Sequence, residues 1–222
     1  MPITANTALC GIVLHPAGHT RSPAMHNAAY AALALDAAYL AFDVGEEALP
    51  AALAGVRALG VRQLSVSIPH KVAVMEHLDE VEDTALRIGA VNTVIASAGR
   101  LVGSNTDWLG AVHALERETK LDGARAVVLG AGGTARAVTW GLLSRGARVW
   151  VLNRTTAKAH SLAEDLGDDA EPAVDEVDPA VFDAQVSLRL LRARLVQEDE
   201  IAPVVEVPGQ AALREDGRAG QW

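Results

Sequence analysis

The sequence has few of the features that mark secreted or membrane proteins. Its single cysteine, Cys10, cannot form an internal disulfide, which is compatible with a reducing compartment. The longest apolar stretch near the start, 8–14, is too short to span a bilayer, and no basic segment precedes it as in a signal peptide. These absences predict a soluble, cytoplasmic protein without a membrane partner.

Positive charge is also scarce. The formal net charge is −9, and no stretch is strongly basic, which argues against a nucleic-acid partner. Only three of the 19 basic residues are lysines, namely Lys71, Lys120 and Lys158. In the substrate half, His19, His26, His70 and His77 form no pair with a cysteine or glutamate at zinc-ligand spacing, and the pair His15-x3-His19 stands alone, so no metal site is predicted. Any anionic ligand must be held by a few local cations.

The sequence does contain a glycine-rich turn between a strand and a helix. The segment 130–133 (Gly-Ala-Gly-Gly) follows the apolar run 126–129 and precedes a predicted helix over 134–145, with a second strand over 148–152. In such a βαβ unit the glycines let the backbone turn sharply and approach a pyrophosphate at the helix N-terminus. The pattern predicts a dinucleotide-binding site.

The residue about 20 positions after this turn distinguishes two dinucleotides. An acidic residue there would bind a free 2′-hydroxyl, whereas this chain has Arg154 with Lys158 behind it, two cations suited to a 2′-phosphate. The sequence therefore predicts NADP rather than NAD as the cofactor. The predicted cofactor-binding residues are Gly130, Ala131, Gly132, Gly133, Thr134, Asn153, Arg154, Thr155 and Lys158.

The first half of the chain alternates strand-like and helix-like segments. Strands are predicted at 9–14, 38–44 and 63–67, helices at 23–35, 46–59, 69–75 and 106–120, and a hairpin over 90–103 that turns at 98–99. This alternation predicts an α/β fold with a mostly parallel sheet and helices on both faces. We therefore divide the chain into a substrate-binding domain (1–120), a Rossmann-type dinucleotide-binding domain (121–184) and an atypical C-terminal tail (185–222).

Three polar clusters interrupt the first domain at strand ends: 19–23, 65–71, and 92–93 with 105–107. Together their hydroxyls, amides, ammonium and carboxylate would form a pocket suited to a polyhydroxylated acid. Each cluster alone also has a structural interpretation as a helix cap or a turn.

Six motifs within residues 9–166 resemble those of the shikimate dehydrogenase family and occur in the same order along the chain. Thr20 and Ser67 replace a family Ser and a family Thr, so the hydroxyls are kept, while Ser65 stands where many members carry Asn. The motifs are His-Thr-x-Ser-Pro-x-x-His-Asn (19–27), Val-Ser-x-Pro-x-Lys (66–71), Gly-Ala-x-Asn-Thr (89–93), Gly-x-Asn-Thr-Asp (103–107), Gly-x-Gly-Gly (130–133) and Asn-Arg-Thr (153–155).

The resemblance implies NADP-dependent interconversion of 3-dehydroshikimate and shikimate, a step toward chorismate and the aromatic amino acids. Quinate or another hydroxy acid is an alternative substrate within the family. By the resemblance, Lys71 and Asp107 are the catalytic pair, and the substrate-binding residues are Thr20, Ser22, Ser67, Lys71, Asn92 and Asp107.

The chemistry supports this pair independently, because hydride reduction of a ketone leaves an oxyanion that an ammonium can stabilise and protonate. A nearby carboxylate favours the ammonium form, so we expect Lys71 to be mainly charged, with Asp107 orienting it.

The resemblance ends near residue 184. Family members continue with an apolar strand, an Asn-Ala-Thr-type turn and a late Gly-x-x-Met-Leu-x-x-Gln segment, whereas this chain has an amphipathic helical pattern at 187–195. The dinucleotide-binding domain is therefore predicted to be incomplete. A non-catalytic, truncated or frame-shifted remnant that binds only nucleotide or a partner is a further alternative, and the chain is expected to be a monomer or a homodimer.

Overall fold

The structure, a computed structural model, describes residues 3–167, 170–172 and 205–206. Its strands are β1 (Ala8–Leu14), β2 (Ala37–Asp43), β3 (Gln63–Val66), β4 (Glu80–Val81), β5 (Thr93–Ser97), β6 (Arg100–Ser104), β7 (Arg125–Leu129), β8 (Arg148–Leu152), β9 (Ala170–Pro172) and β10 (Val205–Glu206). Its helices are α1 (Ser22–Ala32), α2 (Leu49–Ala58), α3 (Asp83–Ile88), α4 (Asp107–Glu116), α5 (Gly133–Leu143) and α6 (Thr156–Leu166). Short 3₁₀ helices lie at Glu46–Ala48 and Ala73–His77.

The first sheet has the strand order β2-β1-β3-β5-β6-β4. The pairs β1–β2, β1–β3 and β4–β6 are parallel, and the pairs β3–β5 and β5–β6 are antiparallel, so the mostly parallel sheet is confirmed. The predicted hairpin is β5–β6. Its two-residue turn has a positive φ at both Ala98 and Gly99, as a hairpin turn that matches strand twist requires.

Strand β1 is buried on both faces because alternate side chains of a strand point to opposite sides. Ile12 and Leu14 belong to a buried cluster with Tyr30 of α1, whereas Val13 belongs to a second cluster with Leu53 of α2. Helices therefore cover both faces of the first sheet, as the sequence predicts.

The second sheet has the order β10-β7-β8-β9, with β7, β8 and β9 parallel and β10 antiparallel to β7. Helix α5 connects β7 to β8, which confirms the predicted βαβ unit. Val112 and Leu115 of α4 share a buried cluster with Val128 and Leu142. Helix α4 thus packs with the second sheet, and the domain division at residue 120 stays a prediction.

The predicted helix from Pro69 through Met75 is wrong. The Ile68–Pro69 peptide is cis, and His70 N donates to the Ser67 carbonyl at 2.9 Å, which closes a turn at the place where the helix was expected to begin. Helical geometry begins only at Ala73. Helix α3 and strand β4 were not predicted, because elements of six and two residues carry too little periodicity.

The residues of the C-terminal tail, including the predicted helix at 187–195, lie outside the described part of the chain, apart from β10. In the described part, no helix has the length and apolarity needed to cross a membrane.

Candidate active site

The predicted polar clusters meet at one edge of the first sheet. Strands β3 and β6 end there and β5 begins there, because β5 runs antiparallel to both; Ser65, Thr93 and Ser104 lie in register across the three strands. Strand β1 is parallel to β3, so the segment after β1 leaves from the same edge. The topology alone therefore brings four separate sequence segments together.

Lys71 forms the centre of this edge. Its Nζ donates to Asp107 Oδ2 at 3.0 Å and to Thr134 Oγ1 at 2.8 Å. The side chains of Lys71 and Asp107 are 17% and 26% exposed, so the ion pair is largely shielded from water. Asp107 is the first residue of α4, where the helix dipole favours a carboxylate. The pair places an ammonium and a carboxylate side by side, both mostly buried.

Asn92 holds the second oxygen of the carboxylate. Its Nδ2 donates to Asp107 Oδ1 at 2.6 Å and to Thr106 Oγ1 at 3.0 Å, and its Oδ1 accepts from the Thr106 amide at 3.1 Å. Both oxygens of Asp107 therefore accept hydrogen bonds, one from an amide and one from a cation, which fixes the orientation of the carboxylate.

Asn105 supports the same carboxylate from the backbone side. It is buried, with its Nδ2 donating to the Ala90 carbonyl at 2.9 Å and its Oδ1 accepting from the Asp107 amide at 3.0 Å. The structural interpretation of this cluster as a turn before a helix therefore also holds. The turn and the site are the same feature, since the turn fixes the direction of Asp107.

The glycine-rich turn needs glycine for one reason at its first residue and for another at its last. Gly130 has φ +107°, a conformation that other residues rarely adopt. Gly132 is extended, and a Cβ there would meet no atom within 4 Å. A Cβ at Gly133 would lie 2.6 Å from Lys71 Cβ, so this glycine is needed by the lysine that packs on it.

The start of α5 fits an anionic group such as a pyrophosphate. Gly132 is the N-cap, no side chain caps the helix, and its first turn holds no acidic residue. The first backbone N–H groups of a helix lack internal partners and carry partial positive charge, so an anion is the partner that completes them.

Arg154 and Lys158 flank the end of β8 and the first turn of α6. Both are exposed, and neither forms an ion pair within the described residues. Asn153 Nδ2 donates to the Thr155 carbonyl at 2.9 Å, which fixes the backbone around Arg154. The two cations thus remain available to an anion.

The predicted substrate hydroxyls lie at the sheet edge without touching the ion pair. The Thr20 hydroxyl donates to Ser22 Oγ at 3.3 Å, and Ser67 bonds through its backbone amide to the Val13 carbonyl at 3.0 Å. In the part of the chain that the structure describes, none of the three hydroxyls binds Lys71. Ser22 is the first residue of α1 rather than its N-cap, and Ser67 precedes a turn, so the capping interpretations of both serines are wrong.

Tyr39 is a neighbour of the site that the sequence did not reveal. It is fully buried, stacks on His26 at 4.0 Å between ring centroids, and donates its hydroxyl to Ser65 Oγ at 2.6 Å. Burial raises the pKa of Tyr39, although the bond to Ser65 acts in the opposite direction. Gln63 Nε2 also donates to Ser65 Oγ, at 3.1 Å, so Ser65 keeps only its own O–H to offer a ligand.

Two segments of this chain match models of known protein families. Residues 12–94 match the shikimate dehydrogenase substrate binding domain, and residues 113–187 match shikimate / quinate 5-dehydrogenase. An NADP(+) shikimate dehydrogenase of Methanothermobacter thermautotrophicus is 48% identical over 167 residues, which cover 75% of this chain and 59% of that relative. The chain therefore spans about three fifths of the length of this curated relative.

Solved structures show the same similarity. Shikimate dehydrogenase of Aquifex aeolicus matches 78% of this chain and 65% of its own, with a TM-score of 0.75 and 40% identity. Shikimate 5-dehydrogenase of Thermus thermophilus, solved with NADP(H) and shikimate, matches 74% of this chain and 63% of its own, with a TM-score of 0.68 and 44% identity.

Proposed function

Because this chain belongs to the shikimate dehydrogenase family, we propose that it interconverts 3-dehydroshikimate and shikimate by NADP-dependent hydride transfer. The observation that carries this proposal is the Lys71–Asp107 pair, which lies 3.0 Å apart and bonds directly to the first turn of α5. A proton donor and an anion-binding helix N-terminus therefore meet at one place, as reduction of a carbonyl by a nicotinamide requires.

The glycine-rich turn and the start of α5 would hold the reduced cofactor, whose chemistry there would be hydride transfer to the carbonyl carbon. The carbonyl oxygen then carries negative charge, and Lys71 Nζ both stabilises that charge and gives it a proton. Asp107 Oδ2 accepts a hydrogen bond from Lys71 Nζ at 3.0 Å and fixes the direction of the ammonium. In the reverse direction, Lys71 first gives a proton to solvent, and its neutral amine then accepts the proton of the substrate hydroxyl while Nζ keeps its hydrogen bond to Asp107 Oδ2.

The remaining roles follow the family motifs. We propose that Thr20 and Ser22 bind the substrate carboxylate and that Ser67 and Asn92, with Asp107, bind the ring hydroxyls. The proposed cofactor site comprises Gly130, Ala131, Gly132, Gly133, Thr134, Asn153, Arg154, Thr155 and Lys158. Arg154 and Lys158 are exposed and form no ion pair with any residue that the structure describes, which supports NADP over NAD.

We further propose that the protein acts on a small-molecule substrate in the cytoplasm and that it is a monomer or a homodimer in solution. Quinate is the second candidate substrate, since the family model that matches residues 113–187 covers both shikimate and quinate 5-dehydrogenases. It differs from shikimate at the ring and not at the reacting alcohol, so the same Lys71–Asp107 pair would serve both.

One assay tests the proposal: reduction of NADP by the full chain with shikimate and, separately, with quinate. We expect turnover with shikimate to exceed turnover with quinate, and to require NADP rather than NAD. Higher turnover with quinate would favour the second candidate. Binding of NADP without turnover on either substrate would overturn the proposal and favour the non-catalytic alternative.

A further inference from the structure

Lys71 Nζ is shared between the two halves of the chain. It bonds to Asp107 at the start of α4 and to Thr134 Oγ1, at 2.8 Å, on the second residue of α5. An ammonium group has three N–H donors, so two are engaged by the protein and one is left for a substrate oxygen. The direction of that third donor is set by the other two.

The stem of Lys71 is held by the same turn as its head. A Cβ on Gly133 would lie 2.6 Å from Lys71 Cβ and 3.1 Å from Lys71 Cδ, so the aliphatic chain lies directly on the Gly133 backbone. The Lys71 carbonyl in turn accepts from the Val91 amide at 2.7 Å. Two consecutive residues at the start of α5 thus contact one lysine. Gly133 contacts its aliphatic chain and Thr134 its ammonium.

We propose that Thr134 is a positioning residue for Lys71. The Thr134 hydroxyl fixes the Lys71 ammonium relative to helix α5, which would bind the cofactor. This inference rests on the proposed function, in which hydride and proton reach adjacent atoms of one carbonyl group. A proton donor bonded to the first turn of α5 is fixed relative to the helix N-terminus that would hold the cofactor's pyrophosphate.

The Thr134 hydroxyl is suited to this role by its bonding capacity. It accepts from Lys71 with one lone pair and keeps its own O–H to donate. At the uncapped start of α5, an anion is the acceptor that fits this O–H. A side chain predicted to bind cofactor therefore has a second, distinct partner in the catalytic lysine.

Three variants of the full chain separate the hydroxyl from the shape of the side chain. Thr134→Val removes the hydroxyl and keeps the volume, and Thr134→Ser keeps the hydroxyl and removes a methyl group. Thr139→Val is the matched control: Thr139 lies on the same helix, is fully buried, and its hydroxyl has no partner in the described residues.

The first measurement needs no activity. The full chain has only three lysines, so mass spectrometry can follow the acetylation rate of each by acetic anhydride. We expect Lys71 to react several-fold faster in Thr134→Val than in the wild type, because one of its bonds is lost. Lys120 and Lys158 serve as internal standards, since both are exposed.

The second measurement is kinetic. We expect kcat at saturating NADP to fall about tenfold in Thr134→Val, as for loss of one hydrogen bond to a charged group, whereas a rise in the Kd for NADP reports the separate contact of the same hydroxyl with the cofactor. Thr134→Ser should restore both the labelling rate and kcat, and Thr139→Val should match the wild type.

The outcomes distinguish this inference from the proposed function. Wild-type labelling and turnover in Thr134→Val, or equal impairment of Thr134→Ser, would overturn the positioning role while an active wild type keeps the function. Faster Lys71 labelling in Thr134→Val, in a chain that oxidises neither shikimate nor quinate, would support the contact and overturn the function.

Discussion

Replacing Gly133 by alanine tests how closely Lys71 packs on the glycine-rich turn. An ideal Cβ at position 133 would lie 2.6 Å from Lys71 Cβ, 3.1 Å from Lys71 Cδ and 3.4 Å from Ala90 Cβ. Rotation of the lysine side chain can move its Cδ but not its Cβ, which the backbone fixes. The turn that carries Lys71, or the start of α5, therefore has to shift.

The size of the effect follows from two opposing terms. Overpacking of this kind costs about 1–3 kcal/mol. Because Gly133 is helical without a positive φ, the added methyl group also restricts the unfolded chain, which stabilises the fold by about 0.4–1 kcal/mol. The net loss of unfolding free energy is about 0–2.6 kcal/mol, or up to roughly 10 °C in Tm for a chain of this length.

Urea denaturation of the full chain measures this loss, with Gly132→Ala as the matched control. A Cβ on Gly132 meets nothing within 4 Å, and its extended backbone suits any residue, so Gly132→Ala keeps only the unfolded-chain term and should be about 0.4–1 kcal/mol more stable than the wild type. Equal stability of Gly133→Ala and Gly132→Ala would refute the close packing of Lys71 on the turn.

Three further changes test the site and its surroundings. Lys71→Ala should lower kcat by ~10²–10⁴ with substrate affinity nearly kept; a loss below tenfold with an unchanged pH profile would show that Lys71 is not the proton donor. Arg154→Ala should lower the preference for NADP over NAD by about tenfold or more, measured as the ratio of kcat/KM values, and an unchanged ratio would contradict the assignment. Burial raises the pKa of Tyr30 to about 12 and also raises the pKa of Tyr39, the second of the two tyrosines. The folded state therefore keeps protons that the unfolded chain loses above pH ~10, so stability should fall as the pH rises from there toward 12. The tyrosinate absorbance of the folded protein should stay flat through pH ~10, and a rise with that midpoint would contradict the burial.

The elements that the sequence predicted are those whose signal is local. The βαβ unit around residues 130–133 and the hairpin turn at Ala98 and Gly99 are each specified by a few adjacent residues, and both are confirmed. The predicted helix at Pro69 was wrong, because a proline before a helix-like run is compatible with a helix start as well as with a turn.

The contacts of the site were less predictable, since they join residues far apart in the chain. The family motifs placed Lys71 and Asp107 together, but no sequence pattern pointed to the bond between Lys71 and Thr134, which are 63 positions apart. Ser65 is similar: its exchange for the family Asn was visible, whereas its partner Tyr39 follows only from the alignment of β2 beside β1.

Asn27 occupies hydrogen-bonding groups at the open edge of the first sheet, where the strand of another chain could otherwise pair. Strand β2 lies at the outer edge of the first sheet, and Asn27 from α1 donates to the Tyr39 carbonyl and accepts from the Tyr39 amide, both at 2.9 Å. One carboxamide thus takes the donor and acceptor that an incoming strand would need. Free edges template aggregation, so Asn27 opposes the addition of a strand at the Tyr39 position of this edge strand.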